Sequence, residues 1–463
     1  MSAAPGRRPP TSRVLARDVL GRVERDGAYA GRALAAALDR AGELPPEERA
    51  LATELVYGVL RRRTRLDRAL DALATKGTGG LALEVRIALR MAAYQILFLD
   101  RIPAYAAVDD AVEACKQAGG RGVAGFANAL LRRLARAGEP PLPDPAADPG
   151  AYLETAIGFP GWLSRTLLAE LPPAQAVAFA NASVAPAPVT LRANTTRIGR
   201  DALMARLAAE RPGASLAPAA VAPDAILARG LDAPAATEAW RAGLFAITDA
   251  GAQVVAELCG AAPGERILDA CAGVGGKTAQ LLALAGDRAQ VDAVDISQPK
   301  LDEAARTLER LGLVSASLST ADLMRPLTDP TPRYDRILLD APCSGLGVLR
   351  RHPEVLLRRA PADLAVLAGQ QLQMLGTVAP VVRPGGVLVY AVCTFDRQEC
   401  EAVVAAFLKA HPRFSPEPAA AAGGRVPWAA VADAAGAVGA AIRTWPQRDD
   451  ADAFFAVRLR ARA

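Results

Sequence analysis

Apolar residues recur at helical spacing through the first third of the chain. One clear segment has its apolar positions at Val14, Leu15, Val19, Leu20 and Val23. The run 51–60 repeats this spacing, and Gly and Pro interrupt the pattern at 42–46 and 75–80. We therefore predict an all-helical domain over residues 11–137, preceded by a disordered tail at 1–10.

A proline-rich stretch separates this domain from the next part of the chain. Residues 138–150 hold five prolines and predict a linker between domains. Residues 151–247 have the pattern of a small α+β unit, with a strand expected at 188–194 and a helix at 200–210. We expect this unit to form a separate subdomain.

From residue 248 to 463, short apolar runs alternate with longer amphipathic segments. The predicted strands are 265–270, 290–296, 315–320, 337–340, 385–393 and 453–459. The predicted helices are 277–284, 298–311, 362–381 and 398–409. Such alternation is typical of a mostly parallel, doubly wound α/β sheet of the Rossmann-like kind. The fold class is therefore multidomain: all-α, then small α+β, then doubly wound α/β.

Composition and charge indicate a cellular compartment and a class of binding partner. The 463 residues include six cysteines without a CxxC pair, which favours reduced thiols in the cytoplasm. No apolar run reaches the roughly 18–20 residues of a membrane span. Residues 1–140 carry 23 Lys and Arg against 16 Asp and Glu, net +7, whereas the remainder is net −2. With five arginines at 61–68, this third of the chain predicts a polyanion partner such as RNA, or else an Arg-rich solvated surface.

A glycine-rich loop at 269–278 follows one predicted strand and opens a helix. Its glycines allow a ligand to approach the backbone, and the helix start offers amides. Asp295 ends the next strand, where a carboxylate can accept hydrogen bonds from ribose hydroxyls. A third glycine is missing for a dinucleotide fingerprint, and Cys271 replaces the first glycine of a P-loop. A nucleoside-cofactor site is favoured, with an NTPase or a purely structural turn as alternatives.

Two thiols follow the ends of two predicted strands. Asp340 ends the fourth strand, Cys343 stands three residues later, and Cys393 ends the fifth. Either cysteine alone would more often be a small buried residue. Together beside a cofactor loop they suit covalent catalysis at carbon 5 of a pyrimidine, which needs a thiolate nucleophile and a separate base. Asp322 also ends a strand and could meet a cofactor's adenine edge, or be a solvated loop carboxylate.

Residues 11–137 resemble the NusB-like RNA-binding domain. The resemblance is carried by 13–16, 55–59, 92–97 and 126–132, in the family's order. It implies an all-α RNA-binding module.

Residues 10–460 resemble the RNA 5-methylcytosine methyltransferases of the RsmB (Fmu/Sun) type. The matching segments are 268–278, 293–296, 340–345, 350–353, 385–394 and 452–455. The resemblance implies an S-adenosylmethionine-dependent RNA methyltransferase, with Cys393 as nucleophile, Cys343 as helper in proton removal and product release, and Asp340 near the cytosine and the cofactor. The implied cofactor-binding residues are Cys271, Ala272, Gly273, Val274, Gly275, Gly276, Lys277, Asp295, Asp322 and Asp340. DNA cytosine methyltransferases use a thiol like Cys343 as nucleophile, so the residues alone leave that assignment open.

The chain departs from the family pattern at several positions. Gly273 and Val274 replace the usual Ala-Pro, Thr248 replaces a Gln, and Leu323 follows Asp322 where Gly is usual. None removes a reacting group. We expect a monomeric cytoplasmic enzyme that needs no metal, has no membrane partner and acts on small-subunit ribosomal RNA. The alternative is an RNA scaffold with an inactive methyltransferase domain.

Overall fold

The computed structural model describes residues 11–462, except 232, 328, 332 and 434–439. The tail predicted at 1–10 lies outside the described residues. The chain divides into two compact units. The first runs to Ala185 and also contains Leu349–Arg359; the second holds Pro186–Val348 and the residues from Ala360 onward.

The first unit is helical. Its helices are α1 (Ser12–Asp26), α2 (Ala30–Ala41), α3 (Pro46–Asp71), α4 (Leu83–Phe98), α5 (Ala104–Ala137), α6 (Pro149–Tyr152), α7 (Gly161–Glu170) and α8 (Pro173–Val184). Helix α1 begins where the Thr11 hydroxyl accepts from the Val14 N–H, and it ends at Gly27 with φ 64°. Leu15, Val19, Leu20 and Val23 point into one core shared with α2 to α5, whereas Val14 is exposed. Inside α5, Gly120 has φ 79°, so the segment is two helices joined by a kink.

The arginine cluster at 61–68 lies inside α3, and most of its side chains have partners within the unit. Arg65 pairs with Glu139, and Arg68 donates to the carbonyls of Pro140 and Pro141. Arg61 donates to the carbonyl of Arg350. The proline-rich segment is therefore held on α3 instead of running free, and these arginines are less available to RNA than their sequence density suggests.

The boundary between the units falls later than the predicted linker. The helical segment 149–184 belongs to the first unit because Leu153–Ile157 and α8 contact α3. Only the part from Pro186 onward joins the second unit, where β1 (Val189–Ala193), β2 (Ser215–Pro218), β3 (Ala225–Arg229) and β4 (Phe245–Ile247) form an antiparallel sheet in the order β2-β3-β1-β4. Helix α9 (Arg200–Glu210) has the predicted bounds and packs on this sheet.

The larger sheet of the second unit has the predicted doubly wound character. Its strands are β5 (Arg266–Asp269), β6 (Gln290–Asp295), β7 (Ala316–Thr320), β8 (Tyr334–Asp340), β9 (Val382–Val392), β10 (Phe414–Glu417), β11 (Ala441–Thr444) and β12 (Phe454–Ala461). The order is β10-β12-β9-β8-β5-β6-β7, with β11 paired to β12. Strands β5 to β9 run parallel, whereas β12 pairs antiparallel with β9, β10 and β11.

Helices cover both faces of this sheet and complete two apolar cores. The helices after β4 are α11 (Ala250–Cys259), α12 (Gly276–Leu284), α13 (Gln298–Leu311), α14 (Pro361–Val378), α15 (Glu401–Ala410), α16 (Trp428–Val431) and α17 (Pro446–Asp449). Helix α10 (Glu238–Arg241) precedes β4 and packs on the smaller sheet. Among the described residues, no helix combines the length and the apolar character that crossing a membrane requires.

Glu257 on α11 is a buried carboxyl whose charge costs stability. Burial, followed by the nearby Asp224 carboxylate, raises the pKa of Glu257 to about 7, against smaller opposing contributions from Arg425, Gln280 and Arg192. The carboxyl therefore binds its proton more tightly in the folded than in the unfolded protein, so its contribution to stability is full below pH 4.5 and is lost as the pH rises to about 7.

We predict that Glu257→Gln raises the free energy of unfolding at pH 8 by at most about 3 kcal/mol and changes it little at pH 4.5. Thermal unfolding of both proteins across this pH range measures the difference. A constant difference at all pH values would show that the effect comes from packing and not from the charge.

Candidate active site

The carboxyl ends of the five parallel strands bring the predicted site residues to one edge of the sheet. Across the order β9-β8-β5-β6-β7, the chain after β9 supplies Cys393, β8 supplies Asp340, and β6 supplies Asp295. The chain order reverses between β5 and its two neighbours, β6 and β8. Ligands of doubly wound sheets bind at such a switch point. The edge therefore offers one half for a nucleoside and another half for the two thiols.

The glycine-rich loop after β5 is tied to the end of β6. Asp295 accepts from the Gly273 N–H at 3.0 Å and from the Ser297 N–H at 2.9 Å. Gly273 and Gly275 have φ values of 56° and 80°, which favour glycine. A Cβ on Gly275 would come within 2.8 Å of the Ala304 side chain, whereas one on Gly273 would meet no atom within 4 Å. Gly275 is therefore needed for helix packing, and Gly273 faces open space.

Two groups of this loop have raised pKa values. The Thr278 hydroxyl donates to Asp269 at 2.7 Å, and burial raises the pKa of Asp269 to about 6. Burial, followed by the Asp340 carboxylate, raises the pKa of the Cys271 thiol. The thiol therefore stays protonated, and Cys271 contributes shape and backbone rather than a nucleophile.

A half-buried ion pair joins the loop to the end of β8. The Lys277 ammonium donates to Asp340 Oδ2 at 2.5 Å and lies 5.3 Å from the centre of the Phe454 ring. Burial alone would lower the pKa of Lys277, but the Asp340 carboxylate outweighs it and the pKa is raised, with a smaller contribution from Cys393. A positive charge therefore stands between the nucleoside half and the thiol half of the edge.

The two thiols predicted to face one cleft are in contact. The Sγ atoms of Cys343 and Cys393 are 3.3 Å apart. The hydrogen bond with Cys393, followed by burial, raises the pKa of Cys343 well above its ordinary value. The Cys343 thiol therefore keeps its proton, and in this contact either sulfur can be the donor.

Backbone contacts hold the two cysteine loops together. The Ala341 N–H donates to the carbonyl of Ala391, and the Gly347 N–H donates to the carbonyl of Cys393. A Cβ on Gly347 would lie 2.0 Å from the Ala453 carbonyl oxygen, so no larger residue fits. Backbone hydrogen bonds thus hold the segment 340–347 to the end of β9 and to the start of β12.

Two other predicted candidates have contacts of their own. Asp322 follows β7 and accepts from the Met324 N–H at 3.0 Å, with Arg325 3.2 Å away. The segment 350–353 belongs to the first unit, where the buried Glu354 accepts from the Ala30 N–H and lies 3.4 Å from His352. Among the described residues, no group of three or more His, Cys, Asp or Glu could hold a metal ion.

Sequence reasoning missed two buried polar residues beside the thiols. Glu399 and Gln371 contact the segment that carries Cys343. No spacing or motif marked Gln371, which lies within the amphipathic pattern of α14. Glu399 falls at the junction of a loop and a helix, where periodicity gives no signal.

The residues of the nucleoside half fit S-adenosylmethionine. Each carboxylate oxygen of Asp295 has capacity for a second hydrogen bond, from a ribose hydroxyl. The side chain of the next residue, Ile296, is 70% exposed and offers an apolar surface to a base. The loop at Gly273 is open, and helix α12 starts beside it. The fold and this site define an S-adenosylmethionine-dependent methyltransferase.

Comparisons with known proteins identify the family. Family models described as 16S rRNA methyltransferase RsmB/F, NusB family and RsmF/B-like ferredoxin-like domain match residues 258–460, 10–136 and 159–232. The probable ribosomal RNA small subunit methyltransferase B of Bacillus subtilis is 35% identical over 88% of this chain and 90% of its own length. The Thermus thermophilus protein named ribosomal RNA small subunit methyltransferase B is 38% identical over 88% and 90%. The chain belongs to the family of ribosomal RNA small subunit methyltransferase B.

Solved structures agree with this fold. PH0851 has a TM-score of 0.80 at 20% identity, over 98% of this chain and 100% of its own. NSun6 from Pyrococcus horikoshii, solved with SFG, has a TM-score of 0.57 at 18% identity, over 65% and 98%. The predicted fold class, family and cofactor are confirmed, whereas the roles of individual site residues stay predictions.

Proposed function

We propose that this methyltransferase acts on carbon 5 of a cytosine in small-subunit ribosomal RNA, through a covalent adduct with Cys393. The observation that carries the proposal is the 3.3 Å contact between the sulfurs of Cys343 and Cys393, beside the Lys277–Asp340 pair. Methyl transfer to an oxygen or an exocyclic nitrogen does not need paired thiols. Carbon 5 of cytosine needs a thiol nucleophile and a separate base, because it becomes nucleophilic only after a thiolate adds to carbon 6 and must then lose its proton.

The proposed nucleophile is Cys393 and not Cys343. The raised pKa of Cys343 keeps its proton on that thiol, so Cys343 is a poor candidate for the attacking thiolate. The Lys277 ammonium stands near enough to Cys393 for the two charges to interact. These features disfavour the arrangement of DNA cytosine methyltransferases, in which a thiol like Cys343 attacks.

The proposed reaction leaves both thiols as they began. The Cys393 thiolate adds to carbon 6, and the electron pair displaced to carbon 5 takes the methyl group. S-adenosylmethionine supplies that electrophilic methyl when bound. A base then removes the carbon 5 proton, the carbon 5–carbon 6 double bond re-forms, and the bond from carbon 6 to sulfur breaks.

Cys343 is the candidate base. Its raised pKa is caused first by the hydrogen bond with Cys393, and that cause is lost once Cys393 is bonded to carbon 6. Cys343 can then release its proton to water and accept the carbon 5 proton in its place. A carboxylate at Asp340 can accept from the exocyclic amine of cytosine, which would orient the ring over Cys393.

The remaining predicted residues are assigned to cofactor and RNA. We propose that 271–277 and Asp295 bind the cofactor and that Asp322 lies toward its adenine. The target base must leave its stack to reach the sheet edge, so an accessible loop or a partly assembled particle is the expected substrate. The NusB-like domain would supply contacts to RNA phosphates. A cytoplasmic, monomeric enzyme stays our expectation.

The test is methyl transfer to unmodified small-subunit RNA. The protein is incubated with S-adenosylmethionine labelled in the methyl group, and nucleosides of the digested RNA are separated by mass. We expect the label in 5-methylcytidine. Label in another nucleoside would contradict the cytosine assignment, and cofactor binding without transfer to any RNA would favour a scaffold role.

A further inference from the structure

A buried polar cluster surrounds the peptide segment that carries Cys343. Gln371 on α14 donates from Nε2 to the Pro342 carbonyl at 3.0 Å. On the other side of Cys343, the Ser344 N–H donates to Glu399 Oε2 at 2.9 Å. The same Gln371 amide group donates to Glu399 Oε2 at 2.8 Å. Both peptide groups flanking the thiol are therefore held by one connected pair of side chains.

The Tyr390 hydroxyl contacts both Glu399 and Gln371. The Tyr390 hydroxyl lies 2.6 Å from the Glu399 carbonyl oxygen and 3.0 Å from Gln371 Oε1. The Ser344 hydroxyl donates to the hydroxyl of Thr394, the residue directly after Cys393, at 2.9 Å. The cluster thus links the loop of one thiol to the loop of the other.

Burying these polar side chains costs free energy of folding. The side chains of Glu399, Gln371 and Tyr390 are all inaccessible to solvent. Burial raises the pKa of Glu399 in spite of its hydrogen bonds, and Glu399 Oε1 has no hydrogen-bond partner among the described residues. An apolar core would avoid both penalties. The cluster therefore contributes orientation more than stability.

We infer that Glu399 and Gln371 are positioning residues that fix the thiol of Cys343 for the proton-removal and release step. This rests on the proposed function, because it assigns Cys343 to that step. Neither side chain touches the reacting atoms; both act through the Pro342 carbonyl and the Ser344 N–H. Removing either side chain frees one end of the segment and lets the Cys343 sulfur leave its place beside Cys393.

The test compares Glu399→Ala, Glu399→Gln and Gln371→Met with wild type and Cys343→Ala. Each protein is incubated with RNA and S-adenosylmethionine, and the covalent adduct on a denaturing gel is divided by the methylated product. We expect Glu399→Ala and Gln371→Met to raise this ratio by about tenfold, since small misplacements of reacting groups have large effects on rate. Glu399→Gln keeps an acceptor for both donors, so we expect its ratio to stay near wild type.

Glu401→Ala is the matched control. Glu401 lies two residues further on and pairs with Arg443 at 2.6 Å. Its loss disturbs the same part of the fold without touching the Cys343 segment, so we expect no rise in the ratio. If Glu399→Ala does not fold, Gln371→Met carries the test.

The outcomes separate this inference from the proposed function. In one outcome, wild type forms product and Cys343→Ala accumulates adduct, but Glu399→Ala and Gln371→Met lower adduct and product in equal proportion. The positioning role is then wrong, and the proposed function stands. If wild type forms no product and no variant forms an adduct, the proposed function itself fails. A rise in Glu401→Ala equal to that in Glu399→Ala would also overturn the positioning role.

Discussion

Replacing Cys393 by alanine is expected to abolish both the covalent RNA adduct and methyl transfer. Without a thiolate at this position, nothing adds to carbon 6, so carbon 5 never becomes nucleophilic. Removing a nucleophile typically costs several orders of magnitude, and we expect a loss of at least about 10⁴-fold. The measurement is methyl incorporation at saturating cofactor, together with the adduct on a denaturing gel.

The contrasting variant is Cys343→Ala. This change leaves the nucleophile in place and removes only the group assigned to proton removal, so the adduct should form and persist. Cys115→Ala is the matched control, because Cys115 is a buried thiol in the helical unit. An adduct in Cys393→Ala that is missing from Cys343→Ala would reverse the assignment and make Cys343 the nucleophile.

The two thiols show how much of the site could be predicted from sequence. They lie 50 residues apart, yet each follows a strand of an alternating βα pattern. Parallel strands end at one edge of a sheet, so the pattern alone placed Cys343 and Cys393 near one another. Their contact is a consequence of β8 and β9 being neighbours.

The same reasoning did not predict the strands β10 and β11 or the partners of the arginines in α3. Strands β10 and β11 have only four residues each, and Pro416 interrupts the apolar pattern of β10. Their place depends on pairing with β12, which no local signal shows. Arg65 and Arg68 suggested an RNA surface by density alone, but partners more than 70 residues away hold them.

Side-chain pairing across strands was also beyond the sequence. Lys277 and Asp340 were each named as site residues, but nothing in the spacing indicated that they form one ion pair. The pair exists because β5 and β8 are parallel neighbours, so the loop after one strand meets the end of the other. Such contacts depend on tertiary packing, whereas the hydrophobic periodicity of the sequence predicts only that both residues lie at the carboxyl-end edge of the sheet.

Replacing Lys277 by methionine is expected to lower the rate of methyl transfer by about 10²–10³-fold. Methionine keeps the length of the side chain but leaves the Asp340 carboxylate half-buried without its cation. Removing one partner of a fully buried pair costs about 3–5 kcal/mol. This pair is only partly buried, so we take about 3–4 kcal/mol, which corresponds to about 10²–10³ in rate if it falls on the transition state. The variant also removes a positive charge that lies near Cys393.

A second variant, Lys277→Arg, separates the charge of this side chain from its shape. It restores the positive charge with a different shape, so we expect it to recover part of the rate that Lys277→Met loses. A rate in Lys277→Arg as low as that in Lys277→Met would mean that Lys277 serves packing or cofactor binding alone. The affinity for S-adenosylmethionine, measured by calorimetry on the same variants, distinguishes those two roles.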